Sequence, residues 1–105
     1  MTPGSDLLDN LIERVRGVVE PTRIVLFGSA ACGAMRPDSD LDVLVVVREG
    51  VDTRDVTRLI NRSMIGFPVA VDVVVATETD ILSYGNTYGL VYYPALREGR
   101  ELYVA

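Results

Sequence analysis

Two runs of β-branched residues, Leu41–Val47 (LDVLVVV) and Val69–Ala76 (VAVDVVVA), each hold one aspartate in an otherwise apolar string. That combination narrows the folds open to the chain. Runs this rich in valine read as strands, and successive side chains on a strand face opposite sides. Leu41, Val43 and Val45 therefore address a core, while Asp42 addresses the other side. Asp40, two positions earlier, points the same way as Asp42. If the two strands are neighbours, Asp72 joins that face. A third strand, Arg23–Phe27 (RIVLF), precedes both.

Helical spacing fills the gaps between the runs. Leu7, Leu8, Leu11, Ile12, Val15, Val18 and Val19 predict a first helix capped by Ser5 or Asp6 and closed by Pro21. Asp52 or Thr53 opens a second helix to about Ile65, with Val56, Leu59, Ile60 and Met64 inward. Gly28 ends the first strand, Ser29–Met35 is short and helix-compatible, and Arg36–Ser39 is a polar turn. Thr77 and Asp80 can cap a short helix (TETDIL). Pro94 suits the start of a last helix, Pro94–Arg100, that Gly99 helps to end, and Glu101–Val104 reads as a closing strand. No repeat or linker divides the 105 residues, so the expectation is one domain, 1–105. Its class is α/β (α+β): a small mixed β-sheet with helices packed on it.

Charge and composition restrict the chemistry. There is no histidine, which removes imidazole as base, nucleophile partner or metal ligand. A metal here is a hard cation on carboxylate oxygens. The net charge of −5 argues against direct nucleic-acid binding, which needs Lys and Arg to displace phosphate counterions. Cys32 is the only cysteine, so no intramolecular disulfide forms and, without a histidine to activate it, a packing role is expected. The N-terminal MTPGSDLLDN lacks the basic segment and apolar run of a signal peptide, and the apolar runs are too short for a membrane span. The expectation is a soluble, cytoplasmic protein with no membrane contact.

Three carboxylates converging on rigid strands suit one or two Mg²⁺ ions of the kind that clamp attacking and leaving oxygens in phosphoryl and nucleotidyl transfer. The third, Asp72, can instead accept the proton of an attacking hydroxyl. Gly28 allows a tight turn and close backbone approach to a phosphate, and Ser29 adds a hydroxyl donor. Simpler roles stand beside these. Asp38 suits the Pro-Asp-Ser turn, Asp72 can be a solvent-facing strand residue, and Gly28 can merely end a strand with Ser29 capping the next turn. Tyr84, Tyr88 and Tyr92 suit a contact surface or core edge, and Arg97 and Arg100 the dipole of the last helix. An EF-hand on Asp38, Asp40, Asp42 and Glu49 is excluded, because its sixth position needs glycine and holds Val43.

Gly28-Ser29, ten residues, Asp40-Leu41-Asp42-Val43 and then Val71-Asp72-Val73 together resemble the signature of the DNA polymerase β-like nucleotidyltransferase superfamily. LFGSAACGAMRPDSDLDVLVVV and the tail PALREGRELY are similar to its minimal nucleotidyltransferases. The resemblance implies a nucleotidyltransferase fold, ATP as donor, and transfer of AMP with release of pyrophosphate. It assigns metal binding to Asp40 and Asp42, metal binding or base function to Asp72, and triphosphate contact to Gly28 and Ser29. It further implies an antitoxin that modifies a tyrosine of a helical HEPN-type toxin partner. The family often has arginine at the position of Cys32; a thiol cannot replace a charged fork, and nearby Arg36 is the candidate to compensate. Two alternatives stand beside this reading: an antitoxin that neutralises its partner by binding alone, and an enzyme acting on a small cationic acceptor such as an aminoglycoside. In the latter a homo-oligomer could supply the missing pocket wall.

Overall fold

The computed structural model describes residues 5–27, 41–84 and 99–105. In chain order the elements are helix α1 (Ser5–Arg16), strands β1 (Arg23–Phe27) and β2 (Leu41–Val47), helix α2 (Thr53–Ser63), strand β3 (Val71–Thr77), helix α3 (Glu78–Tyr84) and strand β4 (Arg100–Val104). The strands form one mixed sheet in the order β3-β2-β1-β4. β1 lies antiparallel to both β2 and β4, whereas β2 and β3 run parallel, joined through α2. The expected α+β class with a mixed sheet is what the chain adopts.

The strand alternation divides the sheet into two faces. Ile24 and Leu26 of β1, and Leu41, Val43, Val45 and Val47 of β2, lie in one buried cluster with Leu8, Leu11 and Val15 of α1 and Val56 and Ile60 of α2. Val25, Leu44, Val46 and Ala76 form a second, smaller cluster on the opposite face, to which Phe27, Val74 and Ile81 of α3 add. β2 is consequently apolar on both sides beyond Asp42, as befits a strand covered twice.

The helix ends have local causes. Asp52 caps α2: its carboxylate accepts the backbone N–H groups of Arg54 (3.1 Å) and Asp55 (3.2 Å). At the start of α3, the Thr77 hydroxyl accepts the Asp80 N–H at 3.2 Å and the Asp80 carboxylate accepts the Thr77 N–H at 3.1 Å, a reciprocal capping box. The Glu49 carboxylate, from the turn after β2, accepts the Thr79 N–H at 2.8 Å. Hydrogen bonds from Thr79 first, and from Thr77, hold Glu49 below the ordinary carboxylate range.

Several boundaries differ from the sequence-based expectation. α1 stops at Arg16, because Gly17 opens a turn in which the Val18 and Val19 N–H groups both reach the Val15 carbonyl. Val18 and Val19 still pack on the main cluster. Ser5 is the first helical residue and Asp6 stands in the first turn. Leu59 is half-buried and outside both clusters, while Ile65 is 78% exposed beyond the end of α2. β3 starts at Val71, two residues late, and runs through Thr77. Arg100 is not in a closing helix: it pairs with Leu26 as the first residue of β4, so it has no helix dipole to balance. Residues 94–98 of that expected helix, together with Arg97, lie outside the described residues.

Candidate active site

β2 and β3 pair in parallel with Asp42 directly opposite Asp72. Both are the second residue of their strands, so their phase is the same and both project from the face opposite α1 and α2. Asp42 is half-buried and Asp72 exposed. The pairing is fixed at its mouth by the Leu41 N–H, which donates to the Ala70 carbonyl at 2.9 Å, and below it by the run of valines from both strands. Register cannot slip by one residue without turning every buried valine outward.

On the other side of Asp42, β1 contributes its last residue: Phe27 is the partner of Asp42 in the antiparallel register. The carboxylates thus sit at the end of the sheet where β1 finishes and β2 and β3 begin, beside the half-buried Phe27 and over Leu44 and Val74. Phe27 was not singled out by sequence reading as a neighbour of Asp42. The alternation Arg23, Val25, Phe27 places it there once β1 and β2 are known to be adjacent.

Asp40, Gly28, Ser29, Cys32 and Arg36 lie outside the described residues, as do Asp38, Tyr88, Tyr92 and the segment Ser29–Met35. Among the described residues no group of three or more metal-ligating side chains assembles. The described share of the site is the carboxylate pair Asp42–Asp72. Two hard oxygen donors side by side suit Mg²⁺, which is commonly held by one or two carboxylates with the remaining positions left to water and substrate phosphate.

A cleft of about 590 Å³ opens at the far end of the same face, lined by Thr22, Arg23, Val46, Arg48, Glu78 and Ile81 among others. Val46 is four residues along β2 from Asp42, roughly 13 Å at about 3.3 Å per residue, so the cleft and the carboxylate pair are separate features.

Against this geometry, the model of the nucleotidyltransferase domain family matches residues 8–89, from within α1 to beyond α3. The chain belongs to the nucleotidyltransferase domain family. No curated protein matches the chain in sequence. Among solved structures, this nucleotidyltransferase domain is similar to a toxin–antitoxin with AMP-PNP, at TM-score 0.67 and 19% identity over 93% of this chain and 73% of that one. It is also similar to the toxin–antitoxin MntA-HpeT, in a mutant with two aspartates two positions apart changed to glutamate, at TM-score 0.68 and 17% identity over the same shares. A candidate nucleotidyltransferase from Sulfolobus solfataricus matches at TM-score 0.51 and 18% identity, over 96% of this chain and 89% of that one. These likenesses establish the nucleotidyltransferase fold for the chain. No helix among the described residues is long and apolar enough to cross a membrane.

Proposed function

We propose that this nucleotidyltransferase domain transfers AMP from Mg²⁺–ATP to a hydroxyl of a partner protein, a tyrosine of a HEPN-type toxin, and so acts as an antitoxin. The observation that carries this reading is the in-register pair Asp42–Asp72 on an exposed face at the end of the sheet. Asp40, two residues before Asp42, completes the acidic set in the sequence, and Gly28-Ser29 comes directly after Phe27, the strand partner of Asp42. The toxin–antitoxin with AMP-PNP and the double aspartate mutant of MntA-HpeT are in keeping with the same assignment.

In this reading Asp40 and Asp42 hold Mg²⁺, with Asp72 as a further ligand or as the base. The metal, when bound, screens the charge that develops on the phosphoryl oxygens. Gly28 and Ser29 cradle the triphosphate, and Arg36 stands in for the arginine absent at Cys32. The acceptor oxygen attacks the α-phosphorus and forms a new O–P bond. The bond from the α-phosphorus to the bridging oxygen breaks, pyrophosphate leaves, and the acceptor proton passes to a carboxylate, for which Asp72 is the candidate.

Cys32 favours a second reading, an antitoxin that works by binding alone. One experiment separates the two. The purified chain is incubated with Mg²⁺, α-labelled ATP and the protein encoded by the neighbouring gene, beside an Asp42→Asn/Asp72→Asn variant. Label on the partner with the native chain and none with the variant supports transfer. A stable complex that never acquires label excludes transfer and leaves binding.

A further inference from the structure

Among the described strands β3 is one edge of the sheet and β4 the other, and the two edges are built differently. β4 is irregular: its register against β1 shifts between Ile24 and Val25, and it opens with the exposed charges of Arg100 and Glu101. Bulges and charges of this kind keep foreign strands from pairing with a free edge. β3 has neither device. It pairs with β2 from Val71 to Thr77 without a shift, it contains no proline, lysine or arginine, and its one charge is Asp72.

The backbone phase of β3 fixes which of its groups are spent. The Ala70 carbonyl accepts the Leu41 N–H at 2.9 Å, and successive residues of a strand turn their N–H and C=O groups to alternate sides. Ala70, Asp72, Val74 and Ala76 therefore bond toward β2, whereas Val71, Val73, Val75 and Thr77 turn away from the sheet. The Thr77 N–H agrees with this phase, since it is taken outside the ladder by the Asp80 carboxylate at 3.1 Å. The outward groups of Val71, Val73 and Val75 have no hydrogen-bond partner among the described residues. Their side chains lie half-buried against the main cluster, and Asp72 stands exposed between Val71 and Val73 on the other face.

We propose that the β3 edge is where the acceptor protein docks, by adding an extended segment of its own as a further strand, and that this segment sets the acceptor hydroxyl opposite Asp72. The inference rests on the reading of the chain as a transferase acting on a protein. A row of alternating N–H and C=O groups is matched by an extended backbone, which then lies one strand spacing from the carboxylate pair. In antiparallel addition Val71 and Val73 form hydrogen-bonded pairs, and Asp72 between them forms a non-hydrogen-bonded one, with Cα atoms about 4.5 Å apart and side chains closest. The residue opposite Asp72 projects onto the face of Asp42 and Asp72. Its two neighbours project onto the other face, beside the half-buried Val71 and Val73. The segment is thus apolar, hydroxyl-bearing, apolar, and free of proline at the apolar positions, whose N–H groups are needed. A second copy of this chain fits less well. The same phase sets Ala70, Asp72, Val74 or Ala76 of a copy's β3 opposite Asp72, and none of these carries a hydroxyl.

The test follows amide hydrogen exchange of the chain by NMR, alone and with the protein encoded by the neighbouring gene. The Val71, Val73 and Val75 amides should slow about tenfold or more in the complex. Val73→Pro removes one outward N–H and leaves the ladder to β2 intact; Val71→Pro repeats this at the first residue of the strand, where proline is best tolerated, and Val73→Thr keeps the N–H. Each proline variant should raise the Kd for the partner about tenfold or more, with the KM for the labelled acceptor rising in step. Val73→Thr should bind as the native chain does, and ATP affinity should be unchanged in all three. Amides that exchange as fast in the complex as in the free chain overturn the proposal, as does a native chain that does not bind the partner. Protection already present before the partner is added, in the monomer or with a doubled mass in sedimentation, overturns it too. Protected amides on a partner that never acquires label sink transfer and support the docking edge; label without protection keeps transfer and sinks the edge.

Discussion

Arg14 is the residue on which the end of α2 depends. A helix leaves its last carbonyls without partners in the helix, and at the end of α2 nearly all are met locally. Ile60 and Asn61 receive the Met64 N–H, Arg62 receives the Ile65 N–H and Met64 receives the Phe67 N–H. Among the described residues the Ser63 carbonyl is met only from across the core, by Arg14 of α1, whose guanidinium also donates to the Ile65 carbonyl and lies 5.3 Å from the Phe67 ring centroid. Arg14→Met keeps most of the aliphatic stem and removes the rest. A hydrogen bond from a charged donor to a part-buried carbonyl is worth about 1.5 kcal/mol at the low end, and a partly exposed cation–π contact about 0.5 kcal/mol. The loss should be about 2 kcal/mol, a fall in Tm of roughly 8–16 °C for a domain of this size. Urea unfolding followed by far-UV circular dichroism measures it. A change below about 0.5 kcal/mol with an unaltered m-value would refute the idea that Arg14 carries the cap.

Three other outcomes are expected. Asp42→Asn/Asp72→Asn should lower transfer to the partner by at least about 10³-fold in a single-turnover assay, since several kcal/mol of charge stabilisation is lost. Thr77→Ala should cost about 1 kcal/mol through loss of one half of the α3 capping box, read as lost amide protection at Asp80 in hydrogen exchange. The Glu49 carboxyl titrates below its ordinary value of 4.5 because Thr79 and Thr77 donate to its charged form. The stability it contributes is therefore present above that value and fades as the pH falls through the lower folded one; Glu49→Gln should flatten this acid dependence, seen in the Thr79 amide signal by NMR.

β1 and β2 were legible to the residue, because each is a short, mostly apolar run rich in β-branched or aromatic residues and bounded by turn-forming segments. The Asp52 cap and the Thr77–Asp80 box were legible for a similar reason, being local chemistry between a side chain and the next turn. The candidate site was legible as a phase relation: once Asp42 and Asp72 sit on strands, alternation and adjacency bring them to one face. What sequence did not disclose was tertiary. Arg100 satisfies helical spacing, but pairing with Leu26 overrides that preference. That β4 closes on β1 rather than β3, that Phe27 neighbours Asp42, and that Arg14 reaches the end of α2 all depend on contacts between distant elements, which no local pattern encodes.

The carboxylate pair is also where the sequence acts against its own fold. Like charges directly opposite one another on neighbouring strands are destabilising. At the strand spacing of about 4.8 Å, the repulsion ranges from ~0.9 kcal/mol in water to ~3.5 kcal/mol near a protein surface. Asp72 is exposed, which puts the figure near the lower bound. The same sheet keeps every other described position of β2 apolar and buried, so the alternation could have carried valine or threonine at either aspartate without loss of register. The chain keeps local and global preferences aligned throughout β1, β2 and β3 and departs from them at two facing acidic residues, the pair to which the proposed function assigns the metal. Neutralising the exposed Asp72 should then leave the fold as stable or slightly more so while abolishing transfer. Loss of transfer without loss of stability distinguishes a cation-binding pair from a merely solvated one, whose removal would relieve the same repulsion and leave transfer intact.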